Sequence, residues 1–262
     1  MLTAFAEAGR YLNRDDYTQT AIRNADFLLD QLYQKDRLLR SWREGQAKYN
    51  AYLEDYASLI LALLALYQTD PNITWYRTAL KLADEMTEHF IDTNGGFFDT
   101  RDDHETLLIR PKNLQDNATP SGNALAATAL LQLAAYGDRT GFRDIAETML
   151  NRIQENSLRY PSAFAQWLRA ADFAVGPAYE VAIVGDAQEP GTQALIKTLW
   201  EHYQPRLIAA VSAYPPDLAA PPLLKDHPLH DDQPTAYVCQ DFVCRKPVND
   251  PLEMLNQLEL GR

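Results

Sequence analysis

Basic residues and cysteines are in short supply, and no apolar run is long. Lys and Arg together number 24 against 36 Asp and Glu, a formal net charge of −12, and no basic run stands out. A chain of that sign does not neutralise a phosphate backbone, which argues against nucleic acid as a partner. An anionic membrane surface is disfavoured on the same ground. No stretch approaches the ~18 uninterrupted apolar residues of a membrane-spanning helix. The most apolar run, Ala57 to Leu66, is shorter and is interrupted by Ser58. The opening residues MLTAFAEAGRYL carry Glu7 and lack a basic start, so no signal peptide is read there. Two cysteines, Cys239 and Cys244, are too few for a disulfide framework. Reduced thiols and a cytoplasmic setting are therefore expected. The strand-like run ending Val184-Gly185-Asp186 is not followed by a Gly-x-Gly-x-x-Gly turn, which argues against a dinucleotide site.

What is present is a packed globular chain of 262 residues, 46% hydrophobic and 23% charged. Its first two-thirds reads as helices in pairs. One member of each pair is small and apolar: MLTAFAEAGRYL, YLEDYASLILALLALYQ and PSGNALAATALLQLAAYG. The other is amphipathic: DYTQTAIRNADFLLDQLYQ, TWYRTALKLADEMTEHFID and TGFRDIAETMLNRIQ. Tyr17, Trp75 and Phe142 align, and so do Ala21, Ala79 and Ala146 four residues later, so the unit is a helical hairpin with spacings of 58 and 67 residues. Apolar positions such as Ile22, Ala25, Leu29 and Leu32 recur at three and four, which puts them on one helical face. Helices that are apolar all round must be covered on most sides. Two layers follow, apolar helices inside and amphipathic ones outside.

Long loops lead into the inner helices at their N-terminal ends: Asp36 to Trp42, and Asn94-Gly95-Gly96-Phe97-Phe98-Asp99, whose Asn-Gly suits a tight turn or short strand. Short turns at Asp70-Pro71 and at 137–141 mark the opposite face. From about Gly176 the pattern changes. Tyr179 to Val184 reads as a buried strand, Gly191 to Tyr203 as a helix, and Arg206 to Ser212 as a second strand, a βαβ-like unit. A Pro-rich loop spans 214–234. Thr235 to Cys239 is a candidate third strand, and Pro251 to Leu260 a final helix capped by Asp250. The division expected is a helical region over 1–175 and a small α/β region over 176–262.

Several motifs together carry a resemblance. They are Leu38-Leu39-Arg40-Ser41-Trp42-Arg43, Leu53-Glu54-Asp55-Tyr56-Ala57, Gly95-Gly96-Phe97-Phe98-Asp99, Arg110-Pro111-Lys112, Asp116-x-Ala118-x-Pro120-Ser121-Gly122-Asn123, and the tail Ala236-Tyr237-Val238-Cys239 with Cys244 and Pro247-Val248. Over nearly the whole chain they resemble the C-terminal part of the YyaL family, also called the spermatogenesis-associated protein 20 family of thioredoxin-domain-containing proteins. The resemblance implies a mainly α fold, a partial (α/α)6 toroid of the six-hairpin glycosidase and N-acylglucosamine 2-epimerase type. It further implies an upstream thioredoxin-like domain and earlier barrel helices. About three hairpins are legible here, so a fragment with uncovered apolar faces is expected. Its partners would be the missing segments or a further copy of the chain.

The chemistry is expected at the mouth formed by the inner-helix N-termini, which offer N–H donors to hydroxyl-rich ligands. Asp55 and Asp116 are the candidate catalytic pair, as acid and base in glycoside chemistry. Trp42, Tyr52, Glu54, Arg110, Ser121 and Asn123 are candidate contacts for a carbohydrate, with Tyr49 and Phe97 as further flat surfaces. The competing reading makes Asp55, Asp116, Ser121 and Asn123 helix caps and loop braces, and pairs Arg110 or Lys112 with Asp116 or Asp99. No catalytic histidine falls at an inner-helix start. The segment His227-x-x-His230 reads as a solvated loop, and Cys239-x4-Cys244 lacks the further ligands of a zinc site. No metal and no cofactor are expected. The runner-up function is a non-catalytic scaffold serving a thioredoxin-like domain.

Overall fold

The computed structural model describes residues 1–104, 108–137 and 140–259. The turn expected at 137–141 and the helix end expected at Leu260 fall partly or wholly outside them. The chain is mainly α. Helices α1 (Leu2–Leu12), α2 (Asp15–Leu32), α3 (Leu53–Tyr67), α4 (Ile73–His89), α5 (Gly122–Ala135), α6 (Thr140–Arg159) and α7 (Ala165–Val175) fill the first two-thirds. None of the described helices is long and apolar enough to cross a membrane.

Burial separates the layers at α3 and α5 as the sequence pattern predicts, whereas α1 buries only Leu2, Ala6 and Gly9. In α3, 11 of 15 residues are buried, and in α5, 12 of 14. The amphipathic α2 buries only Ala21, Ala25 and Leu32. Helices α1, α3, α5 and α7 pack side by side in that order, and α2, α4 and α6 cover α1, α3 and α5. The aligned alanines Ala21, Ala79 and Ala146 are all fully buried, where a side chain of one carbon lets the outer helix close on the inner one. The interior helices of this row are well covered. Within the row, exposed large apolar side chains occur at its two ends, Leu12 of α1 on one side, Leu168 and Val175 of α7 on the other.

Two elements exceed the sequence reading. The loop after α2 is a three-stranded antiparallel sheet of β1 (Tyr33–Gln34), β2 (Arg37–Arg43) and β3 (Gln46–Asn50). Its tight turn is Glu44-Gly45, with positive φ at both positions as a two-residue hairpin needs. The second is α7, a fourth inner helix. Its indole Trp167 donates to the Leu114 carbonyl at 2.7 Å, and Gln166 donates to Thr128 of α5 at 2.8 Å.

The C-terminal region follows the βαβ expectation. Strand β4 (Tyr179–Val184) pairs in parallel with β5 (Leu207–Ser212) across helix α8 (Pro190–Leu199). Strand β6 (Thr235–Gln240) adds antiparallel to β4, and β7 (Val243–Cys244) completes the order β5-β4-β6-β7. One face of this sheet, with Ala182, Val184, Ile208, Ala210 and Tyr237, joins the helical core. The other face, with Val181, Ile183 and Val238, packs with Leu195 and Leu199 of α8 and with Met254 and Leu258 of α9 (Pro251–Glu259). Asp250 caps α9 by accepting from the Leu252 and Glu253 N–H groups. The sheet meets the helices at the C-terminal ends of α3 and α5: Gln68 accepts from Ala209 N–H at 3.1 Å, and Tyr136 donates to the Ala209 carbonyl. The opposite end of the row, at the N-termini of α3 and α5, is left free of it.

The cysteines differ from expectation. Cys239 and Cys244, expected to be reduced, are joined by a disulfide. The four residues between them fold into the β6–β7 hairpin, which sets the two cysteines directly opposite each other across the ladder. A separation that reads as unremarkable along the chain becomes a cross-strand pair once the turn forms.

Candidate functional site

The N-termini of α3 and α5 lie side by side because Gly122 has no side chain. A Cβ there would sit 3.0 Å from the Glu54 backbone nitrogen. Around this junction opens a cleft of about 490 Å³. Of the residues singled out in the sequence, Arg40, Tyr52, Glu54 and Ser121 line it, with Asp99, Asn113, Asn117 and Thr119 beside them. The structure therefore brings together two carboxyls, one guanidinium, four amide or hydroxyl groups from the 113–121 loop, and one aromatic ring.

Arg40 organises the first half of the site. From β2 it donates to Glu54 Oε1 and to Asp55 Oδ2, both at 2.8 Å, and it stacks 4.9 Å from the Tyr52 ring centroid. Asp55 turns away from the cleft. Its Oδ2 also accepts from the Tyr52 N–H at 2.9 Å, the reach-back half of a capping box at the start of α3. Burial raises the Asp55 pKa against the opposing pull of the Tyr52 N–H and Arg40.

Asp99 ends the Gly-Gly-Phe-Phe segment and faces Glu54. Both of its oxygens accept from the Asn113 N–H at 3.1 Å, and its own carbonyl accepts from Leu53 N–H at the entry to α3. Burial raises the Asp99 pKa, the Asn113 N–H opposes this, and the negative charge of Glu54 adds to the rise. In the sequence Asp99 stands within a motif and as a possible partner of Arg110 or Lys112, and is not among the candidate ligand groups. Its place at the end of a loop that enters an inner helix was the available signal.

The other predicted residues stand behind the cleft, and Ser121 at its wall serves as a cap. Asp116 accepts from Ser121 N–H at 2.9 Å and from Gln166 N–H at 2.8 Å. It thus caps α7, whose own N-cap residue Phe164 offers no side-chain acceptor. Ser121 caps α5 through Ala124 N–H. Asn123 is fully buried and ties the Phe97 backbone to the Asn113 carbonyl. Arg110 bonds the carbonyls of His89 and Thr100 and covers the Phe98 ring, while Lys112 pairs with Asp92 at 3.0 Å. Neither cation takes Asp99 or Asp116 as its partner. Trp42 packs edge-on against Phe27 at 5.3 Å, and Phe97 is wholly buried, so neither offers the cleft a flat surface. Asp116→Ala should cost about 1–2 kcal/mol through the lost cap. Thermal unfolding followed by circular dichroism should show a melting point lower by about 4 °C.

Among the described residues, one group of side chains converges closely enough to invite a metal: His227, Cys239 and Cys244 have donor atoms within 4.8 Å of one another. The bond between the two sulfurs removes both thiolates from that set.

No family model matches the chain. Direct comparison does find relatives. The chain is 29% identical to spermatogenesis-associated protein 20 of Homo sapiens over 97% of its own length and 34% of that protein's. The Rattus norvegicus protein of the same name is 28% identical over the same shares. An uncharacterised Caenorhabditis elegans protein is 25% identical over 94% of this chain and 35% of its own. The chain thus spans about a third of the length of the relatives it matches. The resemblance to the spermatogenesis-associated protein 20 family, read from the motifs, is borne out by these similarities.

Proposed function

We propose that this chain is a carbohydrate-binding part of an (α/α)6 toroid, with its ligand seated in the cleft between the N-termini of α3 and α5. The observation that carries this reading is the convergence of Glu54 and Asp99 with Arg40, Asn113, Asn117, Thr119 and Tyr52 in one cleft. Carboxylates and amides spaced around a polar cleft suit a ligand that is mostly hydroxyl, and an aromatic ring at the wall suits the apolar face of a sugar. Glu54, ion-paired to Arg40, acts as an acceptor held in place. Asp99 is the group whose pKa burial raises, so it holds a proton to higher pH than an exposed aspartate does. If a reaction is catalysed, these two are the acid and base. Asp55 and Asp116 are then positioning residues, Asp55 through Arg40 and the start of α3, Asp116 through the 113–121 loop. The ordering of α1, α3, α5 and α7 side by side supports the toroid, in which such N-termini ring one mouth.

The test is saturation-transfer NMR on the full chain with a panel of neutral mono- and disaccharides. Transfer to at least one sugar is expected. It should weaken about tenfold in the Glu54→Gln, Asp99→Asn double variant, a loss of about 1.4 kcal/mol. Absence of transfer from every sugar in the panel would sink the reading.

A second reading is supported by the exposed apolar residues at the two ends of the helical row, Leu12 and Val175 among them. Here the chain is a non-catalytic scaffold whose ends meet further helices, another copy of itself, or an upstream thioredoxin-like domain. Light scattering coupled to size-exclusion chromatography separates the two. A clean monomer with no sugar affinity would remove both self-association and the first reading.

A further inference from the structure

The β6–β7 hairpin carries a second constellation, remote in kind from the polar cleft. Cys239 is 1% exposed, whereas Cys244, its partner in the disulfide, is exposed. The imidazole of His227 stands beside the exposed sulfur, with Nε2 3.4 Å from Cys244 Sγ. Its Nδ1 lies 2.6 Å from the Lys225 carbonyl. A carbonyl only accepts, so Nδ1 carries the hydrogen, and the lone pair of Nε2 is turned to the sulfur. The ring is held edge-on against Tyr237 at 4.2 Å, and the Tyr237 hydroxyl donates to the Pro228 carbonyl one residue beyond the histidine. The hairpin is pinned from the other side. Glu180, the ladder partner of Cys239 and itself 4% exposed, accepts from the Phe242 N–H of the turn at 2.8 Å. A crosslink that served only to fasten the hairpin would need neither a base aimed at its exposed sulfur nor a buried carboxyl across from its hidden one.

We propose that Cys239 and Cys244 are a reversible dithiol–disulfide site in which Cys244 is the attacking thiol, His227 its proton acceptor and Cys239 the resolving thiol. Its substrate class is a disulfide in a polypeptide. In the reduced protein, Cys244 gives its proton to His227 Nε2, and the thiolate attacks one sulfur of an external disulfide. A mixed disulfide forms on Cys244, and the other external sulfur leaves as a thiolate that takes up the proton. Cys239 then passes its proton to Glu180 and attacks Cys244 Sγ. The internal disulfide forms as the mixed disulfide on Cys244 breaks, and the second external sulfur leaves as a thiolate that takes the proton back from Glu180. Two electrons pass to the substrate, and an external dithiol, itself oxidised to a disulfide, returns the site to its reduced form. The structure holds the oxidised end of this cycle. Burial raises the Glu180 pKa, which suits a carboxyl that must take and release a proton. Phe242 and Val243 are 52% and 75% exposed beside Cys244, an apolar approach that fits a polypeptide better than a small hydrophilic disulfide. Other charged or titratable groups around the site are Lys225 and Asp226 on the histidine's loop, Asp241 and Arg143, which act on Glu180, Tyr214, which acts on Tyr237, and Arg245 after Cys244.

The full chain, reduced with dithiothreitol and freed of it, is alkylated with iodoacetamide across pH and read by site-resolved mass spectrometry. Cys244 should react at least tenfold faster than Cys239, with its midpoint below the ~8.5 of a free thiol. His227→Ala should move that midpoint up to or above ~8.5 and slow alkylation about tenfold at neutral pH, with its melting point unchanged. Cys239→Ser should trap a mixed disulfide with an insulin chain, and should trap oxidised glutathione less. Equal reactivity of the two thiols, a His227→Ala profile that does not move, or no trapped adduct would each overturn the proposal. Preferential trapping of glutathione would overturn the polypeptide assignment. Should His227→Ala fail to fold, the ratio between the thiols in the native sequence and the trapping experiment still decide. None of these outcomes depends on sugar binding at the cleft.

Discussion

Asn123→Leu is expected to lower the stability of the chain by about 4 kcal/mol, because it leaves the two buried backbone groups of Phe97 and the half-buried carbonyl of Asn113 without partners, at about 1–3 kcal/mol each. Asn123 is 0% exposed. Its Oδ1 accepts from Phe97 N–H at 2.8 Å, and its Nδ2 donates to the carbonyls of Phe97 and Asn113 at 3.0 and 3.1 Å. Leucine fills nearly the same volume, so water cannot enter to replace these bonds. Alanine leaves room for one and should cost less. For a chain of this size the leucine variant should melt about 10 °C lower, measured by circular dichroism. The effect reaches the cleft as well. Phe97 and Asn113 flank Asp99, and Asn113 N–H is the donor to its carboxyl, so the variant should also lose whatever sugar affinity the native chain has. A drop of less than about 3 °C would mean that the loops at 95–99 and 113–121 are held chiefly by Lys112 and Arg110 instead.

The helical layers were legible because α3 and α5 are apolar on every side, and only a covered helix can be that. The repeat of Ala21, Ala79 and Ala146 gave the packing partner as well. Strand β4 was legible for the same reason, since all six of its residues are buried. The β2–β3 hairpin was not, because Arg37 to Arg43 is mostly exposed and carries no clean alternation. Helix α7 is short, and its start is secured by Asp116, 50 residues upstream of Gln166. No local pattern announces a cap supplied from so far away. The cleft was legible in place but not in detail. Glu54 and Asp55 are neighbours on one helix, about 100° apart around its axis. One therefore faces the cleft while the other closes the cap, and adjacent letters do not tell which. Arg40 decides it by bonding both from β2, a strand the sequence pattern did not reveal.

Arg101→Met is expected to destabilise the chain by about 3–5 kcal/mol near neutral pH, the penalty for stranding a buried charge. Arg101 is 5% exposed. Its guanidinium lies 3.8 Å from Glu85, bonds Asp103 at 3.0 Å, and donates to the Tyr56 hydroxyl at 3.2 Å. Asp103 is half-exposed and will find water. Glu85 is not so placed. Burial already raises its pKa, while hydrogen bonding from Tyr33 and the charge of Arg101 hold it down. A carboxyl with a raised folded pKa keeps its proton in the folded state where the unfolded chain has lost it. Stability therefore falls as pH rises from the unfolded value of 4.5 through the folded one. Removing Arg101 raises the folded pKa further, so this fall becomes steeper and continues to higher pH. The deficit of the variant against the native chain should thus be smallest below pH 4.5, where Glu85 is protonated in both states, and largest at neutral pH. Urea titrations at several pH values measure it directly. Adding Glu85→Gln to the variant should recover most of the neutral-pH loss, since an amide takes the place of the stranded charge. A deficit that is the same at every pH and survives Glu85→Gln would instead assign the loss to packing of the guanidinium stem against Tyr56 and to the bonds it makes with the 99–103 loop.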